Sequence, residues 1–167
     1  MTATSSQLEP EKLPKDQSVS YTHLDVYKRQ PEYETMRRVR GEWKLARRLL
    51  FPGYLFFVTG DAEELNKELL RVPLPIRLLG NEENSFFPLT KKEQDWFLSF
   101  MDGEHIVRMS EGYITGDKVT VTRGPLMGFE GDIRKIDRHK RRAYLDVTLF
   151  GRTVPASVGL EVVRKTA

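Results

Sequence analysis

Arg138-His139-Lys140-Arg141-Arg142 sets four permanent cations and one imidazole side by side. Such a run repels itself, a cost tolerated where a polyanion supplies counter-charge. Arg134 and Lys135 enlarge the cluster just upstream, and Arg152, at the next turn, is an outlying member. Guanidinium groups can follow phosphates, stack on rings or read base edges. A merely solubilising turn is the other reading, but it needs fewer cations, so the density favours RNA contact. Arg138, Lys140, Arg141 and Arg142 are all expected to be exposed. No pair of aromatic residues stands out as a stacking platform for splayed bases. A folded RNA hairpin, read through phosphates and shape, suits the cluster better.

Catalytic chemistry finds little footing. His23, His105 and His139 are scattered, and no G-x-S-x-G, H-E-x-x-H or phosphate-loop string occurs. GPLMGFEG has the glycines of a turn series without the Lys-Ser/Thr of a nucleotide cradle. Asp132 and Asp137 would pair only by accident of register. The chain is read as a non-enzyme that needs no cofactor, and the lack of cysteine excludes disulfides and thiolate metal sites.

The elements around the basic run are short strands. Val119 and Val121 alternate with Lys118, Thr120 and Thr122, and Ala143, Leu145, Val147 and Leu149 alternate with Tyr144, Asp146, Thr148 and Phe150. Arg123-Gly124-Pro125 and Gly151-Arg152 read as turns, and Gly128 and Gly131 suggest a bulge at a corner. About five strands in so short a stretch favour a small twisted barrel, because closure removes exposed edges. Upstream, 49–59 reads as one strand buried on both faces. Asp61 and Thr90 open two helices with capping-box signals, the first inward at Leu65 and Leu69, the second with Trp96, Phe97 and Phe100 on one side. Between them, 72–79 carries two prolines and should end as an edge strand.

GDKVTVTRGPLMGFEGDIRKID resembles a KOW motif, and LLFPGYLFFV resembles the core strand of an NGN domain. In this order the two resemble the NusG-type transcription elongation factors. The tail, with Ala156-Ser157-Val158-Gly159-Leu160-Glu161 in place of a Pro-Val-Glu-Leu-like strand, is closest to the LoaP subgroup of specialised antiterminators. The resemblance implies an α/β NGN sandwich followed by a small SH3-like KOW barrel. The domains are then a disordered or artefactual lead over 1–31, an N-terminally incomplete NGN-like domain over 32–102, a linker over 103–113 and a KOW domain over 114–167. It implies that the basic stretch 33–48 is an excursion, often a hairpin, and that an apolar patch containing Phe51, Tyr54 and Leu79 docks on the clamp helices of RNA polymerase. Phe51, Tyr54, Phe56 and Phe57 are equally core candidates, and packing competes with docking for each. Further implied partners are a nascent RNA hairpin on the barrel and other elongation factors, with the chain a monomer.

SVSYTHLDVYKRQ resembles a translated adapter remnant, and neither the Trp-Tyr-Val-like first strand nor the helix that opens an NGN domain is apparent before Glu32. The first 20 residues are polar and without sustained periodicity, the pattern of a disordered lead.

Charge is divided unevenly. From Ile114 onward 11 lysines and arginines face 6 aspartates and glutamates, leaving +5, against −2 for the residues before it within a total of +3. The basic excess belongs to the barrel. The longest apolar run, over 49–58, is far too short to span a bilayer and no secretory leader opens the chain, so a bacterial cytoplasmic location is expected. Three readings remain open: a LoaP-like antiterminator, a general NusG whose barrel binds a ribosomal protein or Rho, and a KOW RNA-binding protein with no polymerase role.

Overall fold

A computed structural model describes residues 2–6, 27–80 and 86–166. The chain divides into two compact units, one made of residues 1–30 and 52–94, the other of 31–51 and 95–167.

The first unit is a four-stranded sheet carrying one helix on a face. Its strands are β1 (Thr2–Ser6), β2 (Tyr27–Arg29), β5 (Tyr54–Val58) and β6 (Arg77–Leu78), in the order β2-β5-β1-β6. β1 runs parallel to both β5 and β6, so Thr2–Ser6 and Tyr27–Arg29 are strands where a disordered lead was expected. The rest of that lead, residues 1 and 7–26 with most of the adapter-like string, lies outside the described residues. The run expected as one strand over 49–59 is broken. Pro52 has no N–H to give a ladder and Gly53 takes φ +88°, so Leu49 ends one strand and a second, Tyr54–Val58, begins after the turn. α1 (Ala62–Arg71) begins where Asp61 accepts the Glu64 N–H at 2.9 Å, and it ends before Pro73. Its Leu65 and Leu69 pack with Leu55, Phe57, Ile76 and Leu78, one face of the sheet. By alternation Tyr54 points to the opposite face.

The second unit holds two sheets. β3 (Glu32–Val39) and β4 (Glu42–Leu49) form a hairpin, with β7 (Ile106–Val107) parallel to β3 on its other side. β8 (Ser110–Thr115), β9 (Lys118–Arg123), β10 (Ile133–Asp137), β11 (Arg142–Leu149) and β12 (Arg152–Thr166) form the other, in the order β10-β11-β12-β8-β9. β12 is long enough to serve two partners, pairing β11 through Gly159 and β8 from Leu160 onward. That shared strand curls the sheet into the small SH3-like barrel expected. Its core is Val121, Leu126, Leu145, Val147, Leu149, Val154, Val158 and Leu160. Burying each such side chain contributes roughly 1.5–3 kcal/mol.

Several details depart from expectation. The stretch 103–113 carries β7 and β8, because Glu32 and Tyr33 pair with Ile106 and Val107, and Leu160 with Ser110. The expected corner bulge at Gly128 and Gly131 is a 3₁₀ turn over Glu130–Asp132, and the register slips instead between Ile133 and Lys135, at Arg134. α2 (Lys91–Phe100) starts with the reciprocal box of Thr90 and Glu93, the Thr90 N–H donating to Glu93 at 2.7 Å. Its Trp96 and Phe100 stack at 4.7 Å, and Phe100 meets Phe129 edge-on at 5.4 Å. Gly159 lies where the hairpin packs tightly on the barrel. A Cβ there would collide with the Glu34 carbonyl oxygen and the Met109 sulfur.

Candidate nucleic-acid interface

The basic run forms the turn between β10 and β11. Asp137 accepts the Lys140 N–H at 2.9 Å, and the Arg141 N–H reaches the Arg138 carbonyl at 3.3 Å. Arg141 closes the turn at φ +52°, a conformation few side chains adopt without strain. The Lys140 N–H, with its ammonium 3.7 Å away, holds the Asp137 carboxyl below the usual carboxylate range. The turn thus keeps its one acid ionised and hydrogen-bonded inward.

Its cations do not all share one environment. Arg138, His139 and Lys140 are exposed, as are Arg134 and Lys135. Arg141 and Arg142 are half-buried, which corrects the expectation that all four turn cations face solvent. The Arg141 guanidinium lies 4.5 Å over the Trp43 ring and 2.9 Å from Glu161, and its carbonyl accepts the Leu160 N–H at 3.0 Å. Arg142 donates to the Thr35 hydroxyl at 3.0 Å. These two arginines fasten β3 and β4 to the barrel. Arg134 pairs with Asp146 at 3.0 Å but remains at the surface. Arg152 stands at the other end of β11, opposite Leu149, some seven residues or roughly 24 Å along the strand from the turn. It does not join the cluster.

The hairpin is fixed by a second set of charges. Arg108 donates to Glu34 at 2.8 Å, to Glu104 at 2.7 Å and to Asp102, and the Met109 N–H adds a bond to Glu34 at 3.1 Å. Glu34 and then Asp102 push the Arg108 guanidinium up. Burial raises Asp102, but hydrogen bonds from the Ile106 N–H, Arg108 and the Glu104 N–H outweigh it and hold the carboxyl low. Basicity of 33–48 was plain in the sequence. Its place beside the 138–141 turn, about a hundred residues away, carried no local signal.

The three residues expected to dock on polymerase are not equivalent. Phe51 is 3% exposed and packs on Phe97 at 5.7 Å, a core position. Tyr54 is half-buried, level with Thr2 and Arg77 in one row across the sheet. Leu79, also half-buried, follows β6, so β1 stands between it and Tyr54. Among the described residues no group of three or more His, Cys, Asp or Glu is placed to hold a metal, and no helix is long and apolar enough to cross a membrane.

Comparison with known proteins places the barrel and most of the chain. A KOW motif matches residues 115–149. The transcription termination/antitermination protein NusG of Pasteurella multocida is 27% identical over 137 residues, covering 81% of this chain and 75% of that protein. The protein of the same name from Haemophilus influenzae is 28% identical over 136 residues, covering 81% and 74%. That of Campylobacter jejuni is 25% identical over 135 residues, covering 81% and 76%. The chain therefore carries a KOW motif in its barrel and is similar, over 81% of its length, to NusG transcription termination/antitermination proteins.

Proposed function

We propose that this protein is a specialised transcription elongation factor of NusG type, a LoaP-like processive antiterminator in the bacterial cytoplasm. The NGN-like domain binds the clamp helices of RNA polymerase, with Tyr54 and Leu79 at the contact, while the barrel holds a nascent RNA hairpin. Binding biases polymerase toward its processive state, a population shift that requires tighter binding to that state than to paused ones. Other elongation factors join the same complex, and the protein itself acts as a monomer.

The observation that carries this reading is the exposed Arg138-His139-Lys140 turn on a barrel with a +5 excess. Lys135 and Arg134 extend it, whereas Arg152 is too far along the sheet to share one RNA stem end. The second reading, a general NusG whose barrel binds a ribosomal protein or Rho, draws support from the names of its relatives.

Transcription with purified bacterial polymerase separates the two. The template carries the leader of the genes beside this protein's own, followed by an intrinsic terminator. Added protein should raise read-through severalfold, and R138A/H139A/K140A should abolish the gain while leaving the barrel folded. Loss of those phosphate contacts should also flatten the salt dependence of leader-RNA binding, by about 0.9 in log–log slope per contact. Unchanged read-through with the native protein, together with capture of Rho or a ribosomal protein by the barrel, would favour the general reading.

A further inference from the structure

Some arginines of the second unit have an acid within reach. Arg47 approaches Glu104, Arg108 has three carboxylates, Arg134 has Asp146 and Arg141 has Glu161. Among the described residues, Arg37, Arg38, Arg40 and Lys44, clustered at the tip of the β3–β4 hairpin, form no ion pair and are exposed, as is Arg138 in the β10–β11 turn. Arg48, Lys118, Arg123, Lys135, Arg142, Arg152 and Arg164 form none either, but they are spread over the barrel and the hairpin base.

The tip is built against its own electrostatics. Arg37 stands directly opposite Lys44 in the antiparallel register, a like-charge pair that destabilises a bare ladder. Arg38 faces Trp43, its Nε turned back to the Gly41 carbonyl at 3.1 Å. Arg40 takes φ +51° and Gly41 φ +88°, a two-residue turn whose first position ordinarily goes to Asn, Asp or Gly. An arginine therefore occupies a strained left-handed position in each of the two turns, Arg40 in one and Arg141 in the other.

Arg141 fixes the tip beside the turn. Its guanidinium covers Trp43, two residues past Gly41, while Arg142 reaches Thr35 on the paired strand. The spacing between the two basic tips is thus set by the protein before any ligand arrives.

We infer that the tip of the β3–β4 hairpin is a second RNA-binding element beside the 138–140 turn, with Arg37 and Lys44 on one face of the ladder, Arg38 on the other and Arg40 at the turn, offering a second group of cations to the phosphates of a double-helical RNA stem. The inference rests on the RNA reading of that turn. A stem fits better than a single strand because the junction offers a single aromatic ring, Trp43, with one face already covered by Arg141, where splayed bases need a series of stacking platforms. Two separated cation groups on a rigid frame match a duplex, which proteins recognise chiefly through phosphates, 2′-hydroxyls and shape.

The test uses the full chain and an RNA hairpin of about 16 base pairs, with a DNA hairpin of the same sequence as the second arm, titrated between about 50 and 200 mM salt. R37Q/R40Q/K44Q should bind the RNA about tenfold more weakly at low salt, and the slope of log K against log salt should flatten by roughly 2–3. R37K/R40K, which keeps the charge, should retain the native slope and so exclude misfolding as the cause. If R37Q/R40Q/K44Q binds as the native chain does while R138Q/K140Q does not, the hairpin has no such role and the turn keeps its own. Native affinity in both variants would overturn the two readings together. DNA bound as tightly as RNA would replace an RNA-stem surface with a general polyanion surface.

Discussion

Phe51 and Tyr54 belong to one apolar run, yet Phe51 is sealed against Phe97 while Tyr54 stays half-open at the start of its strand. In the basic run the division goes the other way. Arg138, His139 and Lys140 face solvent, and Arg141 and Arg142 are drawn inward by Trp43, Glu161 and Thr35. Both regions mix packing with exposure inside a handful of residues. They differ in what decides the outcome. An aromatic ring is stable wherever enough apolar surface closes around it, so its fate depends on distant chain. A cation stays out unless a specific acceptor or ring meets it, so most of a basic run is at the surface by default.

The largest expected effect tests the apolar side. Phe51→Ala should destabilise the second unit by about 3–5 kcal/mol, the usual cost of emptying a buried aromatic site. Chemical denaturation read by tryptophan fluorescence measures it. A cost below about 1 kcal/mol would mean that Phe51 is not a core residue and restore it as a docking candidate. Tyr54→Asp should do the reverse, leaving the fold nearly intact while weakening polymerase binding by about 2 kcal/mol or more, as loss of an interface anchor does. Retention of Tyr54→Asp on immobilised polymerase at the native level would remove Tyr54 from the proposed contact.

A smaller effect asks what holds Arg141 and Arg142 inward. Glu34 is 7% exposed, accepts from Arg108 and the Met109 N–H, and lies on the strand that carries Thr35. Glu34→Gln keeps the shape but weakens a charge-assisted bond, at a cost of about 1.5–3 kcal/mol. With the hairpin loosened, Trp43 fluorescence should shift as Arg141 leaves its ring. A native melting temperature and an unshifted spectrum would show that the Arg108 network does not secure the hairpin.

These differences explain what the sequence could disclose. The alternation of Ala143, Leu145, Val147 and Leu149 returned as the buried face of β11, and the Asp61 and Thr90 boxes returned as helix starts, because each depends on residues within one turn or one strand. The expected strand over 49–59 failed at Pro52-Gly53, where turn chemistry overrode continuous hydrophobicity. Arg152 looked adjacent to the basic run because ten residues separate it from Arg142. The whole of β11 lies between them, and distance along that strand was the missing quantity. The pairing of Thr2–Ser6 with β5, and of Arg142 with Thr35, join residues far apart in the chain, and no local pattern announces either.

The smallest effect lies inside the turn itself. The Lys140 N–H, followed by the Lys140 and His139 charges, keeps the Asp137 carboxyl below its ordinary range. A carboxylate depressed in the folded state stabilises it fully above its unfolded value, about 3.9, and loses that contribution as pH falls through the lower folded value. The turn should therefore hold its shape at neutral pH and loosen only in acid. The Lys140 amide resonance, followed from pH 6 down to about 2, should move with a midpoint below 3.9. Asp137→Asn should erase that step and shift the melting temperature only slightly, since an amide oxygen can still accept the Lys140 N–H. A midpoint at or above the ordinary aspartate value would mean that Asp137 does not brace the turn. The exposure of Arg138 and Lys140 would then have to come from the strands alone.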